Sequence, residues 1–195
     1  MAQNLTAGTV IDPLFGGDGT PADPGMLLTP APGKRARISV VSLVGLPGDG
    51  QRQSFVNQLQ LALFAWIKQN PAGDRPLGGL LVMDEAQTFA PSGAMTACTA
   101  STLALASQAR KFGLGLVFAT QAPKGLHNRI PGNAASQFFG FLNSPSQIEA
   151  AREIARAKDR AVLDISRLGT GQFYVALEGL GFEKVRTPLC LSHHP

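Results

Sequence analysis

Apolar residues along this chain fall into two alternating kinds of stretch: short unbroken runs, and longer segments where they recur every three or four positions. Ile38–Val44 is the first run, rich in β-branched residues and closed by Gly45-Leu-Pro-Gly-Asp-Gly50, which predicts a strand and a turn. From Gln51 to Gln69 the spacing changes: Phe55, Leu59, Leu63, Trp66 and Ile67 predict a helix, ended by Asn70-Pro71. The alternation then repeats. Leu80–Met83 reads as a strand running into Asp84-Glu85, Met95–Lys111 as a helix of small residues, and Gly113–Ala119 as a strand ending at Thr120-Gln121. A loop with Pro123, Gly125, Pro131 and Gly132 precedes a strand over Ser136–Leu142 and a helix over Ser146–Lys158. Residues 171–177 and 183–187 predict a hairpin about Gly179-Leu-Gly181. Strands bare of polar alternation and separated by helices predict an α/β fold with a mainly parallel sheet, covered by helices on both faces.

The pattern also divides the chain. Residues 1–36 are punctuated by Gly16, Gly17, Gly19, Pro21, Pro24, Pro30, Pro32 and Gly33, and read as irregular chain or linker. Residues 37–190 read as the folded domain, and 191–195 as a tail whose His193-His194 has no acidic or cysteine partner nearby. Of 195 residues, 44% are apolar and 15% charged, which excludes bulk disorder. The net charge of +4 permits a nucleic-acid partner without demanding one. Cys98 and Cys190 stand alone, which excludes a disulfide framework and a cysteine zinc site. With no basic apolar leader and no run of membrane-spanning length, a reducing cytoplasm is the expectation.

In a parallel α/β sheet, ligands collect at the carboxyl ends of the strands, so Asp84-Glu85 and Thr120-Gln121 are the residues to question. An apolar strand ending in two acids suits nucleotide hydrolysis. The first carboxylate can hold the hydration shell of Mg²⁺, and the second can take a proton from the attacking water. A bare cap at Asp84 with a solvated Glu85 is the other reading of those two residues alone. Gln121 can orient that water or bond a loop backbone. Arg110-Lys111 can complement a helix dipole or reach a phosphate on a neighbouring subunit. Lys124, His127 and Arg129, in the loop after Gln121, can face nucleic-acid phosphates or solvent. Ser101, Cys98 and His127 form no nucleophile–base pattern, and no GxSxG elbow is present.

Taken together, Leu80-Leu-Val-Met-Asp-Glu-Ala-Gln-Thr-Phe-Ala-Pro91 and Ala109-Arg-Lys-Phe-Gly-Leu-Gly-Leu-Val-Phe-Ala-Thr-Gln-Ala-Pro123 resemble the HerA/FtsK superfamily of RecA-like P-loop motors, nearest its HerA-like branch. Gly171-Gln-Phe-Tyr-Val175 and Val185-Arg-Thr-Pro-Leu189 are similar to that branch's terminal hairpin, so the resemblance spans roughly residues 35–190 in the family's order. It implies a RecA-like core, ATP and Mg²⁺ as cofactors, and a homo-hexameric ring with double-stranded DNA in its channel. A nuclease is a further implied partner. By motif position it implies Asp84 for the magnesium shell, Glu85 as base, Gln121 as sensor and Arg110 as a finger acting in trans, with Lys124 and Arg129 toward nucleic acid.

One departure counts against this. No GxxxxGK[ST] string, whose amides and lysine hold phosphates, occurs anywhere in the sequence. Gly33-Lys34 lacks the upstream glycine, and Gly45–Gly50 lacks the lysine. The expectation is therefore a motor domain short of its front part, poorly stable or exposing an apolar edge, weak in ATP affinity and inactive alone. Two rivals stay open: a conjugative or secretion ATPase of the same superfamily, and a non-catalytic remnant or interaction subunit that lends Arg110 to another protomer.

Overall fold

The computed structural model describes residues 21–157, 161–162, 164–178 and 181–188. The expectations for residues 1–20, for Lys158, for the 179–180 turn and for the 191–195 tail lie outside them. The chain divides into two compact units.

The first unit takes in Met1–Val82 and Thr96–Val117, the described part beginning at residue 21. Helix α1 (Pro24–Leu28) interrupts the stretch expected to be irregular. Pro24 stands in its first turn, where its missing N–H costs nothing, and the Asp23 carboxylate accepts the Met26 N–H at 2.9 Å. Helix α2 (Asp49–Gln69) carries Asp49 at its start and stops at Asn70, ahead of Pro71. Helix α3 (Ala97–Gln108) is capped by the Thr96 hydroxyl and runs into a 3-10 turn over Ala109–Phe112.

Strands β1 (Gly79–Met83) and β2 (Leu114–Phe118) form a parallel pair, as the sequence predicts. Gly113 makes the helix-to-strand turn at φ 76°, and a Cβ there would lie 2.2 Å from that of Ala72, so only glycine fits. The core joins Leu63 and Ile67 of α2 to Leu105, Ala109 and Leu114, with Leu81 and Leu116 packed against it. The buried stripe of α2 is Val56, Gln60, Leu63 and Ile67, so a glutamine sits where the pattern alone would put an aliphatic residue. Gln60 is satisfied there: its amide donates to the Thr102 hydroxyl (2.9 Å), and its carbonyl accepts from Ser101 (2.6 Å).

Two expectations fail in this unit. Residues 38–44 are not a strand: Ile38, Val40 and Val44 are each about nine-tenths exposed. Strand propensity is realised only against a ladder partner, and no described strand lies beside this segment. The second failure concerns covering. Leu80, Val82 and Val117 are 50%, 59% and 45% exposed, so helices bury only one face of β1–β2 among the described residues. The sequence predicts an exposed apolar edge; what the described residues expose is this row on one face.

The second unit takes in Met83–Met95 and Phe118–Pro195. Strands β3 (Ser136–Phe139), β4 (Gln172–Leu177) and β5 (Gly181–Arg186) form an antiparallel sheet with β4 central. The β4–β5 pair is the predicted hairpin, in the register Gln172↔Arg186 to Leu177↔Gly181. The strand predicted over Ser136–Leu142 exists only to Phe139 and pairs antiparallel to β4, not in the parallel sheet. The short helix α4 (Arg129–Asn133) precedes it. Helix α5 (Pro145–Arg156) packs Ala151 and Ala155 on Phe139, Val162, Ile165 and Leu168, with Ile148, Ile154, Tyr174 and Phe182 around them. The fully buried alanines let helix and sheet approach closely; larger side chains there would overpack.

A polar clasp closes the hairpin side of this unit. Lys184 donates to Asp164 Oδ2 at 2.7 Å, and the Tyr174 hydroxyl donates to Asp164 Oδ1. The Lys184 bond, then the Tyr174 bond, hold the Asp164 carboxyl below its usual range. Partial burial, then the bond to Asp164, push the Tyr174 hydroxyl up, and the same carboxylate raises the Lys184 ammonium.

Candidate functional site

The carboxyl ends of β1 and β2 lead into the second unit, and there the chain is tied by backbone bonds. Ala119 N–H donates to Met83 O and Ala86 N–H to Ala119 O, both at 2.9 Å. Those bonds set the residues after Met83 beside the residues after Phe118. Asp84 bends the first tip, its Oδ1 accepting the Glu85 N–H at 3.0 Å. Glu85 then takes a left-handed backbone, φ 48° and ψ 45°, the one non-glycine with positive φ among the described residues. That conformation costs an L-residue roughly 1–2 kcal/mol, and such strain collects where a side chain must be aimed. A 3-10 turn over Ala86–Thr88 follows, with Ala86 fully buried.

The aimed side chain is met from both tips. Gln121 Nε2 donates to Glu85 Oε1 at 2.5 Å, 36 residues away in sequence. Gln87 Nε2 donates to the other oxygen, Glu85 Oε2, also at 2.5 Å. The Thr120 hydroxyl donates to Gln87 Oε1 (2.5 Å) and accepts the Ala122 N–H (3.0 Å). From α5, the Gln147 amide donates to the backbone carbonyl of Gln121. Asp84, Glu85 and Gln121 therefore stand together. The sequence singles out Thr120 with Gln121 by its place at the strand end but gives it no role; Gln87 lies unremarked inside a string that carries the resemblance, and nothing in the sequence points to Gln147.

The remaining predicted residues stand elsewhere. Arg110 is exposed in the 3-10 turn of the first unit, with Lys111 beside it. Lys124 and Arg129 are exposed on the loop after Gln121, Lys124 in a 3-10 turn over Pro123–Gly125 and Arg129 at the start of α4. That loop is laced to the segment following Glu85: Ser92 N–H donates to Gly125 O and His127 N–H to Ala90 O, both at 2.8 Å.

Among the described residues no group of three or more His, Cys, Asp or Glu converges as a metal cage. A single exposed carboxylate with one oxygen uncommitted to its own turn, as at Asp84, fits a hydrated Mg²⁺, which keeps most of its waters. The phosphate side does not fit, because no loop of the phosphate-cradling form is in the sequence. No helix of the described residues is long and apolar enough to cross a membrane.

The chain has the α/β fold of P-loop NTPases. The particular likeness is to solved structures of the genome packaging NTPase B204 from Sulfolobus turreted icosahedral virus 2. In complex with ATP-gammaS that protein matches at a TM-score of 0.57 and 16% identity, over 90% of this chain and 74% of its own. With AMPPCP the figures are 0.53 and 18%, over 70% and 65%. The sulfate complex gives 0.55 and 16%, over 92% and 76%. No protein-family model matches the sequence, and no curated protein matches it.

Proposed function

We propose that this chain carries the hydrolytic residues of an ATP-driven DNA translocase of the HerA/FtsK kind. The observation that carries the proposal is the bond from Gln121 to Glu85, which joins a base candidate and a sensor candidate across two adjacent strand tips. The likeness to a genome packaging NTPase supports the same reading. When bound, Mg-ATP supplies the phosphoanhydride to be cleaved. On this chain, Asp84 would hold the hydration shell of the metal, Glu85 would accept a proton from water, and Gln121 would keep the Glu85 carboxylate in register. Lys124 and Arg129 meet DNA phosphates from the neighbouring loop. Arg110 reaches the site of the next protomer in a homo-hexameric ring, with a nuclease as a further partner and the cytoplasm as the setting. The phosphate cradle is not among these 195 residues, so no step is assigned to it.

That last fact favours a second reading, in which this polypeptide lends Arg110 to a catalytic partner and turns over no ATP itself. Steady-state hydrolysis of Mg-ATP by the full chain, by itself and with a polypeptide supplying the phosphate loop, separates the two. The first reading expects no turnover from the chain by itself and, once that polypeptide is added, turnover that falls at least 100-fold in Glu85→Gln, the range for loss of a general base. The second expects none alone, and stimulation of a loop-bearing partner that Arg110→Ala removes. Turnover indifferent to Glu85→Gln contradicts the assignment of the base.

A further inference from the structure

Glu85 has three rotatable side-chain bonds, and a carboxylate free to sample them spends little time facing any one water. Here both of its oxygens are occupied by amide donors, and the two donors differ in their own support. Gln121 reaches Oε1 from the β2 tip, where its backbone carbonyl is held by Gln147. Gln87 reaches Oε2 from the 3-10 turn just beyond Glu85, and is itself gripped by Thr120. The direction of every bond in that second series is fixed by chemistry. The Glu85 carboxylate can only accept, so Gln87 turns its Nε2 toward it and its Oε1 toward Thr120. The Thr120 hydroxyl therefore donates to Gln87 Oε1, while its oxygen accepts the Ala122 N–H. The series runs Ala122, Thr120, Gln87, Glu85, crossing from one strand tip to the other. A side chain with its rotamer locked by such supports is held far closer to one geometry than an unsupported one.

We propose that Gln87 is a positioning residue for Glu85, and that Thr120 fixes the orientation of Gln87. The inference rests on Glu85 acting as the base, and adds that its aim depends on a glutamine two residues on and a threonine from the other tip. Gln87 touches no reacting atom; it acts through Glu85 alone. Loss of it leaves nucleotide affinity untouched and lowers the rate.

The test uses the full chain with Mg-ATP and a polypeptide that supplies the phosphate loop, and pairs kinetics with NMR of the glutamine side-chain amides. Gln87→Met keeps volume and removes both polar groups; Thr120→Val keeps shape and removes the hydroxyl; Thr120→Ser restores it. The expected result is a fall in kcat of roughly tenfold or more for Gln87→Met, the usual size for loss of a supporting hydrogen-bond partner, with KM within twofold. Thr120→Val is expected to fall in the same direction and Thr120→Ser to recover to within about twofold of wild type. In the spectra, the Gln87 amide pair is expected to move on Thr120→Val and on Glu85→Gln, and to return with Thr120→Ser. The inference is overturned if Glu85→Gln abolishes turnover while Gln87→Met leaves kcat unchanged, or if the Gln87 amide signals ignore both Glu85→Gln and Thr120→Val. Turnover indifferent to Glu85→Gln counts against the base itself, and the amide signals then decide alone on the Gln87 contact.

Discussion

Single residues do unequal work in this chain, and the strained one is the most informative. Glu85 sits in a backbone region that favours glycine, directly after a strand tip, with its carboxylate met by two amides. Its candidacy was legible in the sequence because an acid pair after an apolar run is a recognisable string. Gln121 was legible in the same way, after the next apolar run; Gln87 was not, since reaching Glu85 from it requires the left-handed turn that no pattern announces. Asp164 makes a separate case, where charge fastens the hairpin. Its folded carboxyl is depressed, so its contribution is present above the unfolded carboxylate value of about 3.9 and drains as pH falls through the lower folded one. Lys184 is raised, so its share is complete below about 10.4 and is lost as pH rises through the folded value. Thermal melts of wild type and Asp164→Asn should therefore differ most between about pH 5 and pH 9 and converge below about pH 4. A gap in Tm that stays constant from pH 3 to pH 8 would disagree.

At the scale of elements, periodicity served helices better than strands. Helices α2, α3 and α5 lie within a few residues of the positions read from apolar spacing, because a helix satisfies its own backbone. A strand needs a neighbour. Ile38–Val44 has the composition of one and no partner among the described residues, so it stays irregular. Ser136–Phe139 found its partner in β4, a segment far along the chain, and so joined an antiparallel sheet that local sequence could not specify. The β1–β2 pair carries the cost of its uncovered face. Leu80, Val82 and Val117 leave an apolar row in water, a surface prone to association. Replacing Leu80 and Val82 together by Thr should change stability by no more than about 1 kcal/mol, as for exposed positions, while raising the monomer fraction on sizing columns. Unchanged association would show that the row is not what brings copies together.

For the whole molecule, the α/β class was readable because bare strands alternating with helices allow few alternatives, and the likeness to an NTPase fold agrees. The division into two units was not readable, since strand tips and loop join the second unit through backbone bonds between residues distant in sequence. The proposed function rests on one cluster at the strand tips: the proposed metal-holding acid, the proposed base and its amide supports. Mn²⁺ can stand in for Mg²⁺ there, and its unpaired electrons broaden nearby NMR signals. Titrating the full chain with Mn²⁺ while watching the side-chain amides of Gln87 and Gln121 is the most direct measurement. These two are expected to broaden before other glutamine amides, and Asp84→Asn to abolish the preference. Uniform broadening, or a preference that survives Asp84→Asn, would contradict the proposed function.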